Sequence, residues 1–262
     1  MAEPTRRSIL VTGAGSGIGR ATALLFAGRG WFPALLDVDA AALARTADTI
    51  GTTQCFQARV DTTDLDAYRA AAAAVGRATG GRLDVLFNCA GLLRVGWLED
   101  MDPAVEARML AVNVLGTVNG IRAALPLLRS TPGARVINMA SSAMFYGVPE
   151  LAMYSASKAA VGALTEALDL ELGRHGIGVC DLAPPIVDTP MVSGQPYQAG
   201  VYRTVRDRMS AETVAETVWK AAHGNKLHWV LSPSMGILSA LLKLSPRLGR
   251  TLMKRMALVA LP

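Results

Sequence analysis

Seven short apolar runs, alternating with longer alanine-rich stretches, constrain this chain more than any other feature. SILVT (8–12), FPALLD (32–37), TQCFQA (53–58), LDVLFN (83–88), ARVINMA (134–140), IGVCDLA (177–183) and LHWVLS (227–232) have the length and residue types of strands. They are too apolar for a sheet with a wet face, so both faces of each strand must be covered. The stretches 17–29, 39–49, 63–79, 102–129, 153–174 and 211–222 read as helices. This alternation predicts an α/β fold: a Rossmann-like, doubly wound parallel sheet of about seven strands with helices on both faces. With 262 residues, 51% of them hydrophobic, the chain can fill one such core.

The same reading divides the chain. Residues 1–232 read as a single Rossmann-like domain, and 233–262 as an extension beyond it. Residues 186–210, with Gly194, Pro196 and Gly200, are longer than an ordinary connection and read as a lid over a site. The net charge of +5 is localised: from Ser232 onward there is no Asp or Glu, but Lys243, Arg247, Arg250, Lys254 and Arg255 are present. The remaining 21 basic residues match 21 acidic ones, which argues against nucleic acid as a partner. Cys55, Cys89 and Cys180 lack metal-ligand spacing and suggest reduced thiols in a cytoplasmic protein. The N-terminus lacks the apolar run of a secretory signal, and no stretch of uninterrupted apolar residues is long enough for a membrane span. His175, His223 and His228 have no matching acid or metal spacing and read as surface or strand-edge residues.

Between the first strand and first helix lies TGAGSGIG (12–19). Its Gly13, Gly17 and Gly19 allow the backbone to turn tightly and approach a ligand, and a helix N-terminus there suits a pyrophosphate. Asp37 ends the second strand 18 residues after Gly19, where a carboxylate grips ribose hydroxyls and repels a 2′-phosphate. No Arg or Lys stands at Ser16 or Val38 to offset it, so the cofactor expected is NAD rather than NADP. Asp39 is better placed to cap the next helix. Further along, MYSASKAAVG sets Tyr154 and Lys158 four residues apart, on one helix face. An ammonium beside a phenol favours phenolate, so the pair is either a proton-transfer device or, as is common, an ordinary polar pair on one exposed helix face.

Taken in order, these motifs resemble the short-chain dehydrogenase/reductase family over about residues 8–232. TGAGSGIG is similar to the family's cofactor turn, VDTTD (60–64) to its adenine-holding segment through Asp61, and NCAG (88–91) to its Asn-Asn-Ala-Gly. Asn113 in AVNVLGT, Ser141 thirteen residues before Tyr154, and Tyr154 with Lys158 match the catalytic tetrad. Three positions depart from the pattern: Cys89 replaces an Asn, Ala140 a frequent Ser, and Pro185 in APPIVDTP the usual Gly. Ser142 is a secondary candidate beside Ser141.

The resemblance implies an NAD-dependent oxidoreductase. Tyr154 would act as general acid and base and Lys158 would hold the nicotinamide ribose. Ser141 would bond the substrate oxygen, and Asn113 would hold a water linking Lys158 to solvent. Cofactor contacts are implied at Gly13, Ser16, Gly17, Ile18, Gly19, Asp37, Val60, Asp61, Asn88, Ala90, Gly91, Pro184, Val187 and Thr189. Asn88 is expected to fix the backbone at its strand end, and Ser141 and Asn113 could equally be helix or turn caps. Leu92, Leu93, Met144, Phe145, Met191 and Tyr197 would line an apolar pocket with Arg94 nearby, suiting a hydrophobic secondary alcohol or its ketone. Gly116, Gly120 and Gly162 would let two helices meet across a homodimer or homotetramer interface, or simply pack on the sheet.

In the extension, Arg247, Arg250, Thr251, Lys254 and Arg255 share one helical face, opposite Leu248, Leu252, Met253, Met256 and Val259. Such a helix can contact an anionic membrane peripherally, pack on a neighbouring subunit, or close over a lipophilic pocket. The rival functional reading is an NAD-binding sensor or membrane-associated scaffold without turnover. Complete Ser141, Tyr154 and Lys158 weigh against it, and the extra acid–base groups of a lyase or epimerase are not found.

Overall fold

The computed structural model describes residues 6–195, 199–200 and 208–232, and in the extension 247, 250, 251 and 254. Seven parallel strands, β1 (Ser8–Thr12), β2 (Phe32–Asp37), β3 (Phe56–Arg59), β4 (Val85–Asn88), β5 (Arg135–Met139), β6 (Gly178–Ala183) and β7 (His228–Val230), form one sheet. Their order is β3-β2-β1-β4-β5-β6-β7. The chain therefore winds outward from β1 in one direction and then, from β4, in the other. The reversal leaves a crevice at the carboxyl ends of β1 and β4, where open α/β sheets bind ligands.

The helices are α1 (Gly17–Gly28), α2 (Ala40–Ile50), α3 (Leu65–Ala78), α4 (Pro103–Leu110), α5 (Gly116–Arg129), α6 (Ala152–Gly173), α7 (Pro190–Ser193) and α8 (Ala211–His223). Their starts follow from capping: Asp39, Asp64 and Asp102 each accept backbone N–H bonds at the heads of α2, α3 and α4. Two expectations shift. The third strand begins at Phe56 rather than 53, because Gln54 N–H turns back to the Gly51 carbonyl. The helix expected over 102–129 is divided by a π-helical turn, Ala111–Leu115, which contains Asn113.

Alternate strand residues enter opposite cores. Ile9, Val11, Leu35, Phe87, Ile137 and Leu182 pack with Phe26 of α1 and Val214 and Val218 of α8. Leu10, Leu36, Leu86, Val136 and Val179 pack with Tyr68 of α3, Ile121 and Leu128 of α5 and Leu172 of α6. Each such side chain contributes about 1.5–3 kcal/mol by leaving water. The run Pro103–Arg129 is long and apolar enough to cross a bilayer by composition alone, but it packs as core helices here. Arg247, Arg250, Thr251 and Lys254 are helical and exposed. Arg255 and the apolar face expected opposite lie outside the described residues.

Candidate active site

The glycine turn is shaped by close approach. Gly13 has φ +68° and Gly17 φ +48°. A Cβ on Gly13 would lie 3.2 Å from the Ala90 backbone, and one on Gly17 3.1 Å from Thr189 Cγ2. One on Gly19 would run into the Gly13 carbonyl. The turn is thus pressed between the residues after β4 and those after β6. Ser16 is extended and makes no side-chain cap, so the N-terminal N–H groups of α1 are left to a ligand, with Ile18 anchoring the helix in the core. Asp37 gives one carboxylate oxygen to this turn, accepting Gly15 N–H at 2.8 Å, and the other to the start of its own loop, accepting Asp39 N–H at 2.9 Å. Asp39 caps α2, as expected.

Two details of this half escaped the sequence. Thr12 Oγ1 accepts the N–H groups of Cys89 and Ala90 at 3.0 Å each, tying β1 to the segment after β4. Its only signal was its place at a strand end. Asn88, expected to fix its own strand end, instead donates to Asn138 Oδ1 on β5 at 3.0 Å. Beyond β3, Val60 is buried, while Asp61 receives Thr63 N–H at 3.0 Å and the Arg108 guanidinium at 2.6 Å. Burial works to raise the Asp61 pKa, but the Thr63 and Arg108 bonds prevail and hold it below the usual carboxylate range.

The residues expected to move a proton meet at the carboxyl ends of β4 and β5. Ser141 caps a short turn by accepting Ala143 N–H at 3.2 Å, and its hydroxyl works to lower the pKa of the Tyr154 phenol. Lys158, buried, donates to the Met139 carbonyl at 2.7 Å, and its Nζ lies 5.6 Å from the Tyr154 ring centre. Asn113 is not a helix cap. Its amide accepts Leu92 N–H at 2.7 Å and donates to Leu92 O at 3.0 Å and to Ser157 Oγ at 2.9 Å. Its carbonyl accepts Thr117 Oγ1 at 2.9 Å. Gly91 lies beside both groups: a Cβ there would be 3.2 Å from Asn113 Oδ1 and 3.7 Å from Lys158 Nζ.

Burial pushes the Tyr154 phenol up to about 12, against the lowering effect of Ser141. Burial also lowers Lys158 to about 8.

After β6 the chain returns over the site. The Pro184 carbonyl accepts Ser142 N–H at 2.9 Å, and Val187 bridges to Met209. Despite Pro185, Thr189 reaches the glycine turn. Gln195 then fastens this segment to the loop after Gly91, accepting Val95 N–H at 3.0 Å and donating to Leu93 O at 2.9 Å.

The expected pocket residues divide. Leu92 and Met191 are exposed, and Leu93 packs near Tyr154 with Val95, Val148, Leu151 and Ala199, four residues the sequence did not single out. Met144 lies on Gly162 of α6, Phe145 follows it at the end of the Ser142–Met144 turn, and Tyr197 is outside the described residues. An open cleft of about 440 Å³ over Arg94, Trp97, Met101 and Val105 is lined by neither Tyr154 nor Lys158. Gly116 and Gly120 admit Thr62, Asn88 and Tyr68 side chains, so these small residues serve packing inside the chain. His228 is paired after all, with Asp181 at 2.9 Å. Among the described residues no acid, thiol and imidazole cluster could hold a metal.

The open helix terminus, the glycine cradle and the Asp37 carboxylate together fit a dinucleotide. Comparison with known proteins agrees with this geometry. Residues 7–199 match the family model described as short chain dehydrogenase. The chain is 35% identical over 194 residues to the probable oxidoreductase EphD of Mycobacterium tuberculosis, covering 73% of this chain but only 33% of EphD. It therefore spans about a third of that relative. It is also 35% identical over 183 residues to a sorbitol dehydrogenase of Cereibacter sphaeroides, covering 70% of this chain and 71% of the relative. The solved structure of a short-chain dehydrogenase/reductase from Burkholderia phymatum, in complex with NAD, superposes with a TM-score of 0.84 at 30% identity, covering 95% and 97% of the two chains.

Proposed function

Because the chain belongs to the short-chain dehydrogenase family, we propose that it is an NAD-dependent oxidoreductase interconverting a hydrophobic secondary alcohol and its ketone. The observation that carries this reading is the gathering of Ser141 and Lys158 about the partly buried Tyr154, with Lys158 Nζ 5.6 Å from its ring centre. When bound, the nicotinamide supplies the hydride acceptor or donor.

The chain's own residues supply the rest. In the reducing direction, Tyr154 hands its proton to the substrate oxygen, and Ser141 steadies that oxygen by a hydrogen bond as charge develops. In the oxidising direction Tyr154 must first lose its proton, which its high pKa resists near neutrality. Lys158 spends one of its three N–H donors on Met139, leaving two for the ribose. Asn113 pins Leu92, and with it the loop that walls the pocket. Asp37 selects NAD by accepting ribose hydroxyls where a 2′-phosphate would be repelled.

Apolar Leu92, Leu93, Val95 and Met191 favour a bulky apolar substrate; a polyol would leave hydroxyls unpaired against them. Leu115 and Leu170, 58% and 81% exposed on the outer faces of the π-helical turn and α6, support assembly as a homodimer or homotetramer. Free thiols at Cys55, Cys89 and Cys180 suit a reducing, cytoplasmic setting.

The test is NADH absorbance with a panel of hydrophobic secondary alcohols and ketones, with sorbitol as the polyol comparison. Ketone reduction should run well at neutral pH and alcohol oxidation should rise toward alkaline pH. Turnover of sorbitol alone would overturn the substrate class, and turnover of nothing would favour a binding role.

A further inference from the structure

Three loops meet beside Tyr154, and two polar side chains tie them together. The segment after β4 brings Leu93 and Val95, the turn before α6 brings Val148 and Leu151, and the stretch after α7 brings Ala199. Val95, Leu151 and Ala199 are buried, and Leu93, Val148 and Tyr154 pack on them. Apart from Tyr154, none of these residues lies in a helix or strand, so regular backbone pairing does not by itself fix this apolar wall.

The ties come from Glu150 and Gln195. The Glu150 carbonyl accepts Gly96 N–H at 2.9 Å, and its carboxylate accepts Gly200 N–H at 2.6 Å. The Gln195 amide oxygen accepts Val95 N–H at 3.0 Å, and its amide nitrogen donates to Leu93 O at 2.9 Å and Met191 O at 2.8 Å. The turn carrying Glu150 is itself seated on the head of α6: Val148 N–H donates to Ser155 Oγ at 3.2 Å, and Ser155 N–H to the Leu151 carbonyl at 2.8 Å. The wall is thereby linked to the helical turn that holds Tyr154.

Glu150 carries a second mark. Among the described residues it alone, apart from glycines, has a positive φ, +65°. Glycine adopts that conformation without steric cost, whereas a glutamate keeps it only where its surroundings over-determine it. Here the carbonyl and the carboxylate, committed to two different loops, do so. No step assigned above to Tyr154, Ser141 or Lys158 uses either Glu150 or Gln195. We propose that Glu150 and Gln195 are positioning residues that hold the apolar wall in shape and so decide which ketones fit against it. This rests on the reading of Tyr154 as the group that moves the proton to a hydrophobic ketone. A ketone with a bulky apolar body depends on the wall, and a small one does not reach it.

The experiment has two arms, both on the full chain. In the first, amide hydrogen exchange at Gly200 and Val95 is followed by NMR. Glu150→Ala should speed exchange at Gly200 at least tenfold, Gln195→Ala should do the same at Val95, and Glu150→Gln, which keeps an acceptor, should restore protection at Gly200. In the second, the best bulky ketone of the panel is compared with acetone. Glu150→Ala and Gln195→Ala should each raise KM for the bulky ketone about tenfold with kcat within a factor of about two, and leave acetone unchanged. Glu150→Gln should recover the parent KM. Glu150→Gly, which relieves the backbone but drops the carboxylate, should discriminate as poorly as Glu150→Ala. Unchanged NADH affinity shows that each variant is folded. Exchange that is alike in parent and variants, an equal loss for both ketones, or full discrimination in Glu150→Gly would overturn the proposal. A parent that turns over no ketone sinks the catalytic reading instead, while ketone turnover that the variants leave untouched sinks this proposal alone.

Discussion

At the end of β2, Asp37 gives both oxygens to backbone N–H groups of its own neighbourhood, while on β6 Asp181 is buried and answered by a histidine from another element. The same contrast runs through the two halves of the sheet. Around β1 and β2, Thr12, Gly13 and Asp37 shape the site through contacts with the backbone. Around β5 and β6, Ser141, Tyr154 and Lys158 shape it through side chains that carry protons, two of them with pKa values displaced by burial. One half is a fixed cradle and the other is a titratable device. Substitutions in the two halves should therefore fail differently.

After the phenol itself, the largest effect that separates them is Ser141→Ala, which removes the hydroxyl steadying the substrate oxygen. Turnover should fall about 100-fold while NADH affinity, measured by fluorescence, stays within a factor of about two. Next, Lys158→Met should raise unfolding stability at pH 7 by about 2 kcal/mol while weakening cofactor binding. The sign follows from burial: the folded-state pKa, about 8, lies below the unfolded value, so the buried cation costs stability at neutral pH. As pH rises from 8 toward 10.5 the parent chain regains that stability, and the gap to the variant should close. Denaturant melts at pH 7 and 10 check both statements. A smaller effect is expected in the cradle: Asp37→Ala should weaken NADH binding about tenfold and narrow its advantage over NADPH. Smallest is Arg108→Gln, which leaves Asp61 held by Thr63 and should cost NADH affinity about threefold.

What was legible in the sequence follows the same division. Periodicity revealed the strands and helices because each strand must feed two cores, and glycine spacing revealed the cradle because only glycine tolerates Gly13's φ and its contact with Ala90. Tyr154, Lys158 and Ser141 were legible only through the family resemblance, since the spacing of a Tyr and a Lys on one helix face is common. Asp181 and His228 were not: they are 47 residues apart, and only the register of β6 on β7 makes them partners. Asn113, expected to hold a water or else cap a helix, sits in a π-helical turn that sequence cannot show and folds its amide onto Leu92. The walls at Val95, Leu151 and Ala199 come from irregular segments without a period to read.

The central claim is that the Tyr154 phenol moves the proton at a site whose cofactor cradle is independent of it. Tyr154→Phe tests this most directly, assayed with the best ketone of the panel and titrated with NADH in parallel. The account predicts about a 1,000-fold loss of turnover with NADH affinity essentially unchanged. Retained turnover in that variant would contradict it.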